Sequence, residues 1–521
     1  MNVAGLILAR GQDSAIAVLH RDVALTYAGL REAVGRFAGG LLARGHRRGG
    51  RIGIFSENSP FFVKVYLGII RAGLVAVPLQ TDLTDEDFSR IVSDAGIKEV
   101  FVSNRLLDRA RPWADKLGLT LMPESQEARL MANPPSSPAV NSASDLASLM
   151  FTSGSTGSPK GVMITHRNID CNSRDIIAYL GLYPGDRVMA VLPFHYCFGL
   201  SLLITHLMAG GSVVINNEFK LFPESVLLEM QQKECTGFAG VPSTYQILLR
   251  NSRFRQMTFP KLRLFQQAGG KLPNPCIREI LDAFPAVRFF LMYGQTEGTA
   301  RLSFLPPERL TNKLGSIGKG LPSVKLEVLR DDGTPVAPGS DEIGEITASG
   351  DNITSGYWHD PAETAKYFRN GRLHTGDLAR VDSDGFIYIV EREREMIKSG
   401  GNRISAKEVE DVIAEMPEII EVAVVGASHE LLGESIKAFV SLARDASVKA
   451  QNVLAHCQKR LPASKMPEEI IFVGSLPHGS SGKVLKSRLK EMLESRQTHT
   501  FRGERQPSSK RRDSTFEPCP A

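Results

Sequence analysis

The chain has 521 residues, 62 Lys and Arg against 57 Asp and Glu, a formal net charge of +5, and 42% hydrophobic content. That length exceeds one hydrophobic core and predicts at least two domains, while so small a charge makes no case for nucleic acid or an anionic membrane as main partner. Cys171, Cys197, Cys235, Cys276, Cys457 and Cys519 form no C-x-x-C pair and no metal-type spacing with histidine, so a reduced, cytoplasmic setting is expected.

The opening MNVAGLILARGQDS lacks a basic n-region and a small-residue cleavage site, so no secretory signal is expected. From about residue 20 to 390, helical periodicity alternates with short Val/Ile/Leu-rich runs at 51–55, 75–77, 212–215 and 288–292. That alternation predicts α/β layers with mostly parallel strands. Two apolar segments, 63–79 and 198–215, raise the question of a membrane span. Lys64 and Arg71 interrupt the first, and His206 with Gly210-Gly211 interrupts the second, so each reads as a helix, a glycine turn and a buried strand.

The run 146–151 reads as a buried strand leading into Thr152-Ser153-Gly154-Ser155-Thr156-Gly157-Ser158-Pro159-Lys160. Glycines let backbone N–H groups face an anion, hydroxyls donate further hydrogen bonds, and Lys160 adds a point charge, so the loop suits phosphate. Composition also admits a flexible linker, against which Pro159 and the flanking apolar runs argue for order. No window matches G-x-x-x-x-G-K-[ST], so this is not a Walker A loop. Farther on, 344–356 and 385–390 read as hairpins, with Asp-Gly turns at Asp332-Gly333 and Asp384-Gly385, and predict a small β subdomain.

The run Glu391-Arg392-Glu393-Arg394-Glu395 is too polar for a core and marks a domain boundary or a solvated, alternating-charge face. A compact α+β segment follows to about 495, with helices expected at 406–415 and 448–460 and strands at 421–426 and 436–442. Residues 498–521 are poor in apolar side chains and are expected to be disordered, with Lys510-Arg511-Arg512 in a solubilising tail.

Other segments join the loop in order: Leu192-Pro193-Phe194-His195, Ala268-Gly269-Gly270-Lys271, Tyr293-Gly294-Gln295-Thr296-Glu297, Gly344-Glu345-Ile346, His374-Thr375-Gly376-Asp377 and Pro477-His478-Gly479-Ser480-Ser481-Gly482-Lys483. Together they span about residues 20 to 490, and the chain resembles the adenylate-forming (AMP-binding) enzymes of the acyl-CoA synthetase and aryl-CoA ligase type.

The resemblance implies an α/β fold with a large N-terminal domain of layered α/β subdomains and a small β subdomain, binding ATP and the acyl group (1–391). A hinge (392–395), a smaller mobile α+β lid domain (396–497) and a disordered tail (498–521) would follow. It implies an ATP-dependent acid:thiol ligase that forms an acyl-AMP and pyrophosphate, then an acyl-CoA thioester and AMP. Loading of an acyl carrier protein's phosphopantetheine is an alternative acceptor step, and an inactive nucleotide-binding scaffold is an alternative of another class.

In the resemblance, Thr152, Ser153, Gly154, Ser155, Thr156, Gly157 and Lys160 hold the β- and γ-phosphates. Gly269, Tyr293, Gln295, Thr296, Asp377 and Arg392 bind the nucleotide, with Tyr293 on the adenine, Thr296 on the α-phosphate and Asp377 on the ribose. Glu297 and Thr156 would ligate Mg²⁺, an ion that prefers oxygen ligands. Lys483 is the adenylation lysine, His195 stands between carboxylate and adenylate, and Arg394 takes the hinge position. Arginine there departs from the family's usual Asp or Lys. Gly401 and Arg403 lie where the pantetheine tunnel is expected.

Amino-acid-activating relatives keep an aspartate near the position matched here by Cys197, yet no carboxylate lies between Leu192 and Gly211. A buried ammonium without a counter-charge is costly, so the expected substrate is a small fatty or aryl acid without a free α-amine. Lys271 would face a polar acyl substituent or the nucleotide.

Overall fold

The structure is a computed structural model and describes residues 1–153, 159–392, 395–400, 402–429, 431–443, 446–479 and 482–503, with Ser153, Arg403 and 496–503 as backbone only. The first apolar segment resolves as its interruptions suggest. Helix Pro60–Arg71 starts where Ser59 accepts a hydrogen bond from the Phe62 amide and Pro60 takes the first helical position. Gly73, at φ +77°, then turns the chain into strand Val75–Pro78. The second segment repeats the plan: helix Cys197–Ala209 is buried along its whole length, ends at Gly210 (φ +85°), and hands over to the buried strand Ser212–Ile215. Full burial of each leucine there contributes about 1.5–3 kcal/mol. Among the described residues, no helix is long and apolar enough to cross a membrane.

The described strands form four sheets. In a six-stranded sheet, Arg51–Phe55 and Val75–Pro78 lie side by side, and the antiparallel hairpin of Leu146–Ser153 with Pro159–Thr165 closes one edge. In the nine-stranded sheet, Ile16–His20, Ser212–Ile215, Arg187–Ala190, Gly237–Gly240, Leu264–Gln267 and Arg288–Tyr293 pair in parallel. Parallel pairing puts the carboxyl ends of neighbouring strands together, the place where open α/β sheets bind ligands. That common edge brings Val241-Pro242, Ala268-Gly269 and Tyr293 to Glu297 to one site.

A smaller antiparallel sheet joins Val324–Leu329, Gly344–Gly350, Arg372–Val381 and Ile387–Arg392, and its Asp-Gly turns hold Gly333 and Gly385 at φ +82° and +81°. The C-terminal domain pairs Ile419–His429 with Gly433–Leu442, and Glu469–Phe472 adds in parallel. Helices Ala406–Ile413 and Ala450–Gln458 cover that sheet around Val409, Ile413, Val424, Val440, Val453 and Cys457. The fold is therefore α/β, a large N-terminal domain followed by a small α+β domain. The last helix, Lys486–Gly503, continues past residue 497, where the expected tail begins, and 504–521 lie outside the described residues.

The charged run from 391 to 395 departs from expectation at its first residue. Glu391 is only 4% exposed and accepts hydrogen bonds from the Ser405 hydroxyl (3.1 Å) and the Lys407 amide (2.9 Å). Burial raises its pKa above the ordinary carboxylate value. It ties the end of the N-terminal domain to the start of the helix Ala406–Ile413.

Candidate active site

Asp377 organises one side of the site. The T-G-D sequence alone reads as a turn, yet Asp377 sits inside strand Arg372–Val381, paired in register with Arg392. Gly376, at φ +72°, gives the strand the local freedom this needs. Asp377, 2% exposed, accepts a hydrogen bond from the Tyr293 hydroxyl (2.6 Å) and one from Arg392 Nε (2.9 Å). The Asp377 carboxylate is the main reason the guanidinium of Arg392 holds its proton even more firmly than usual. Three residues scattered over a hundred positions thus form one charged, hydrogen-bonded unit at the junction of the nine-stranded and the small sheets.

Beside it, the short turn after strand Arg288–Tyr293 carries the remaining groups. Thr296 is buried and its hydroxyl faces Cys197 Sγ at 3.4 Å. Burial raises the pKa of the Cys197 thiol above its ordinary value. Glu297 is half-buried. One carboxylate oxygen accepts from the Tyr357 hydroxyl (2.7 Å), and no cation pairs with it among the described residues. Gln295 keeps its side-chain Nε2 buried and without a partner, a donor waiting for an acceptor. Gly269 (φ +87°) is hemmed in: a Cβ there would stand 3.0 Å from Val241 and 3.2 Å from the Tyr196 hydroxyl.

His195, expected near the reacting carboxylate, is buried with Nε2 unpartnered. Burial, with a smaller contribution from Lys220, lowers its pKa to about 4, so at neutral pH it is an uncharged imidazole. Next to it, Tyr196 carries the approach of Lys483: the ammonium lies 5.8 Å from the Tyr196 ring centroid, and its Cε stands 3.7 Å from where a Gly269 Cβ would be. The Lys483 loop is seated on the N-terminal domain by the Ser243 hydroxyl, which donates to the Gly482 carbonyl (3.1 Å). Gln246 Nε2 donates to the Ile420 carbonyl (2.7 Å), and Lys271 Nζ pairs with Asp411 (2.5 Å). Lys271 therefore faces the C-terminal domain.

Lys160 leaves the hairpin to pair with Glu363 and lies 5.7 Å from the Tyr357 ring centroid. Thr152 is paired in register with it across the hairpin, and Ser153 ends the first strand. Gly154, Ser155, Thr156 and Gly157 lie outside the described residues, as do Arg394 and Gly401 and the side chain of Arg403. Among the described residues, no group of three or more His, Cys, Asp or Glu converges as a metal site.

Sequence reasoning missed Tyr357, Glu363, Asp411 and Arg301. The first three are partners of predicted residues, invisible until the fold pairs them. Arg301 had one local signal, a lone cation between Ala300 and Leu302 just after the Y-G-Q-T-E segment.

Comparison with known proteins agrees with this geometry. The family described as AMP-binding enzyme matches residues 8–358, and the AMP-binding enzyme C-terminal domain matches 408–483. Among curated relatives, feruloyl-CoA synthase of Amycolatopsis sp. is 32% identical over 92% of this chain and 96% of its own. The long-chain-fatty-acid–CoA ligase FadD13 of Mycobacterium tuberculosis is 31% identical over 90% of this chain and 93% of its own. Among solved structures, ATP-bound MatB from Rhodopseudomonas palustris superposes with a TM-score of 0.83 at 29% identity, covering 95% of this chain and 99% of that one. The chain belongs to the AMP-binding enzyme family, and within it to the AMP-forming acid–CoA ligases.

Proposed function

We propose that this chain activates a carboxylic acid without a free α-amine in the pocket beside Tyr196, Phe198 and Gly269, using the residues above in distinct roles, and passes the acyl group to the thiol of CoA. The observation that carries the reading is the seating of Lys483, from the C-terminal domain, over Tyr196 and beside Gly269.

In the first half-reaction a carboxylate oxygen of the acid attacks the α-phosphorus of ATP and pyrophosphate leaves. Asp377 accepts hydrogen bonds from the ribose hydroxyls, Thr296 donates to the α-phosphate, and Lys160 with the loop that begins at Thr152 holds the outer phosphates. Lys483 stands between acid and α-phosphate. A charge pair at ~4 Å with an effective dielectric of ~20 is worth about 4 kcal/mol, roughly a thousandfold in rate. Neutral His195 closes the acyl side without adding charge. Glu297 would suit the role of Mg²⁺ ligand, since it offers an anionic oxygen donor that no cation among the described residues pairs with. When bound, the ion neutralises phosphate charge.

In the second half-reaction the C-terminal domain turns about the segment 392–395, with Arg394 at the hinge. Lys483 leaves, and the thiol enters past Gly401 and Arg403 to attack the acyl carbonyl, releasing AMP. Lys483→Ala is expected to lower acid-dependent pyrophosphate release about a thousandfold while thioester formation from supplied acyl-adenylate stays near wild type. Equal loss of both half-reactions would overturn the role. Accumulation of acyl-AMP with CoA present and no thioester would instead favour a carrier-protein thiol as acceptor.

A further inference from the structure

Arg301 is the largest fully buried side chain outside the roles given above, at 1% exposure. Its backbone is held rigidly. The Arg301 carbonyl accepts from the side-chain amides of Asn172 (2.8 Å) and Asn352 (3.0 Å), and Thr299 and Ala300 before it sit at φ +58° and +105°. Gly294 permits the loop to fold back so closely, since a Cβ there would stand 2.0 Å from the Ala300 carbonyl oxygen. A non-glycine backbone in this region is strained, and such strain collects at ligand sites.

The guanidinium so positioned has no counter-charge among the described residues. Nε donates to the Tyr179 hydroxyl (3.1 Å), and Nη2 is buried with no partner among the described residues. Arginine has five N–H donors in a planar fork, so the terminal edge is left free. Its Cζ lies 4.8 Å from the Phe198 ring centroid, a cation–π contact that offsets only part of the cost of burying the charge. Its field reaches Tyr196 and Cys197, the start of the helix Cys197–Ala209 beside which Lys483 is seated.

We infer that Arg301 is a specificity residue of the acyl pocket, whose free edge binds a second anionic group, a carboxylate remote from the one that is adenylated. The substrate class is then a dicarboxylic acid, and the inference rests on the ligase reading above. A carboxylate matches the free edge of the guanidinium with two parallel hydrogen bonds and supplies the charge the site lacks. The absence of any acidic side chain between Leu192 and Gly211 is compatible with this: no carboxylate of that segment repels a second anionic group.

The test uses the full-length enzyme with ATP, Mg²⁺, CoA and matched pairs of acids, octanoate against octanedioate and benzoate against benzene-1,3-dicarboxylate, following pyrophosphate. The wild type is expected to prefer one or both diacids by at least roughly tenfold in kcat/KM, consistent with a charge-assisted pair. Arg301→Gln is expected to lose roughly a hundredfold on the preferred diacid and at most a fewfold on its monoacid partner, with Arg301→Lys in between. A wild type that prefers the monoacid in every pair overturns the inference, whatever the variants do. So does an Arg301→Gln variant that loses both partners equally. If no acid yields pyrophosphate, the ligase reading fails instead, and calorimetry decides the Arg301 site alone. Diacid binding present in the wild type and absent in Arg301→Gln supports the site, and equal or absent binding overturns it.

Discussion

Replacing Lys271 by alanine tests whether the two domains are held in the adenylating arrangement by contacts that chemistry itself does not use. Lys271 Nζ and Asp411 lie 2.5 Å apart across the domain boundary, with side chains 31% and 29% exposed. Bare Coulomb energy at an effective dielectric of ~20 is about 7 kcal/mol at that distance. Desolvation and side-chain ordering take back most of it, and partly exposed pairs net about 1 kcal/mol. Asp411 also keeps Lys407 at 3.1 Å, so the variant leaves no orphaned carboxylate. A loss of ~1 kcal/mol shifts the docking equilibrium about fivefold toward the undocked state. Single-turnover pyrophosphate release should therefore slow about fivefold, more gently in 0.5 M salt, where the wild-type pair is already screened. Thioester formation from supplied acyl-adenylate and CoA should hold or rise. Equal slowing of both half-reactions, or no effect on either, would refute the claim that this pair biases the domain arrangement.

Two further outcomes follow from the same site and core. Tyr293→Phe removes one of the two hydrogen bonds that orient Asp377 and should raise the KM for ATP roughly three- to tenfold with kcat little changed, the loss of about 1 kcal/mol; an unchanged KM contradicts that positioning role. Burial lowers the pKa of His166, His195 and His206 from 6.5 to about 4, so below pH 6.5 the unfolded chain takes up protons that the folded chain refuses until about pH 4. Stability from these residues is intact at pH 7.5 and should fall as pH drops from 6.5 toward 4, by about 2 kcal/mol for each histidine at pH 5. Urea midpoints that stay flat between pH 7.5 and 5 would contradict their neutral burial.

Elements with strong local patterning were legible in the sequence. The strands at 51–55 and 212–215 appear with the expected bounds, because a short run of branched apolar residues between glycine turns has little else to become. The residue types at Tyr293, Thr296, Glu297, Asp377 and Lys483 were readable because their motifs are local. What each touches was not: Asp377 meets Arg392 through cross-strand register, and Lys271 meets Asp411 through domain docking, and neither pairing leaves a local trace. Glu391 misled for the converse reason. Charge composition predicts solvent, whereas Ser405 and the Lys407 amide stand ready to satisfy a buried carboxylate. Arg301 is the same lesson, a cation whose burial only the fold reveals.

The most direct measurement of the central claim is the fate of oxygen in the reaction. With an acid substrate labelled with ¹⁸O in its reacting carboxylate, and with ATP, Mg²⁺ and CoA, mass spectrometry of the nucleotide product should find AMP carrying one ¹⁸O, alongside unlabelled pyrophosphate and the acyl-CoA. That atom can reach AMP only if the carboxylate attacked the α-phosphorus. Label in inorganic phosphate with ADP as the nucleotide product, or unlabelled AMP beside the thioester, would contradict activation through an acyl-adenylate.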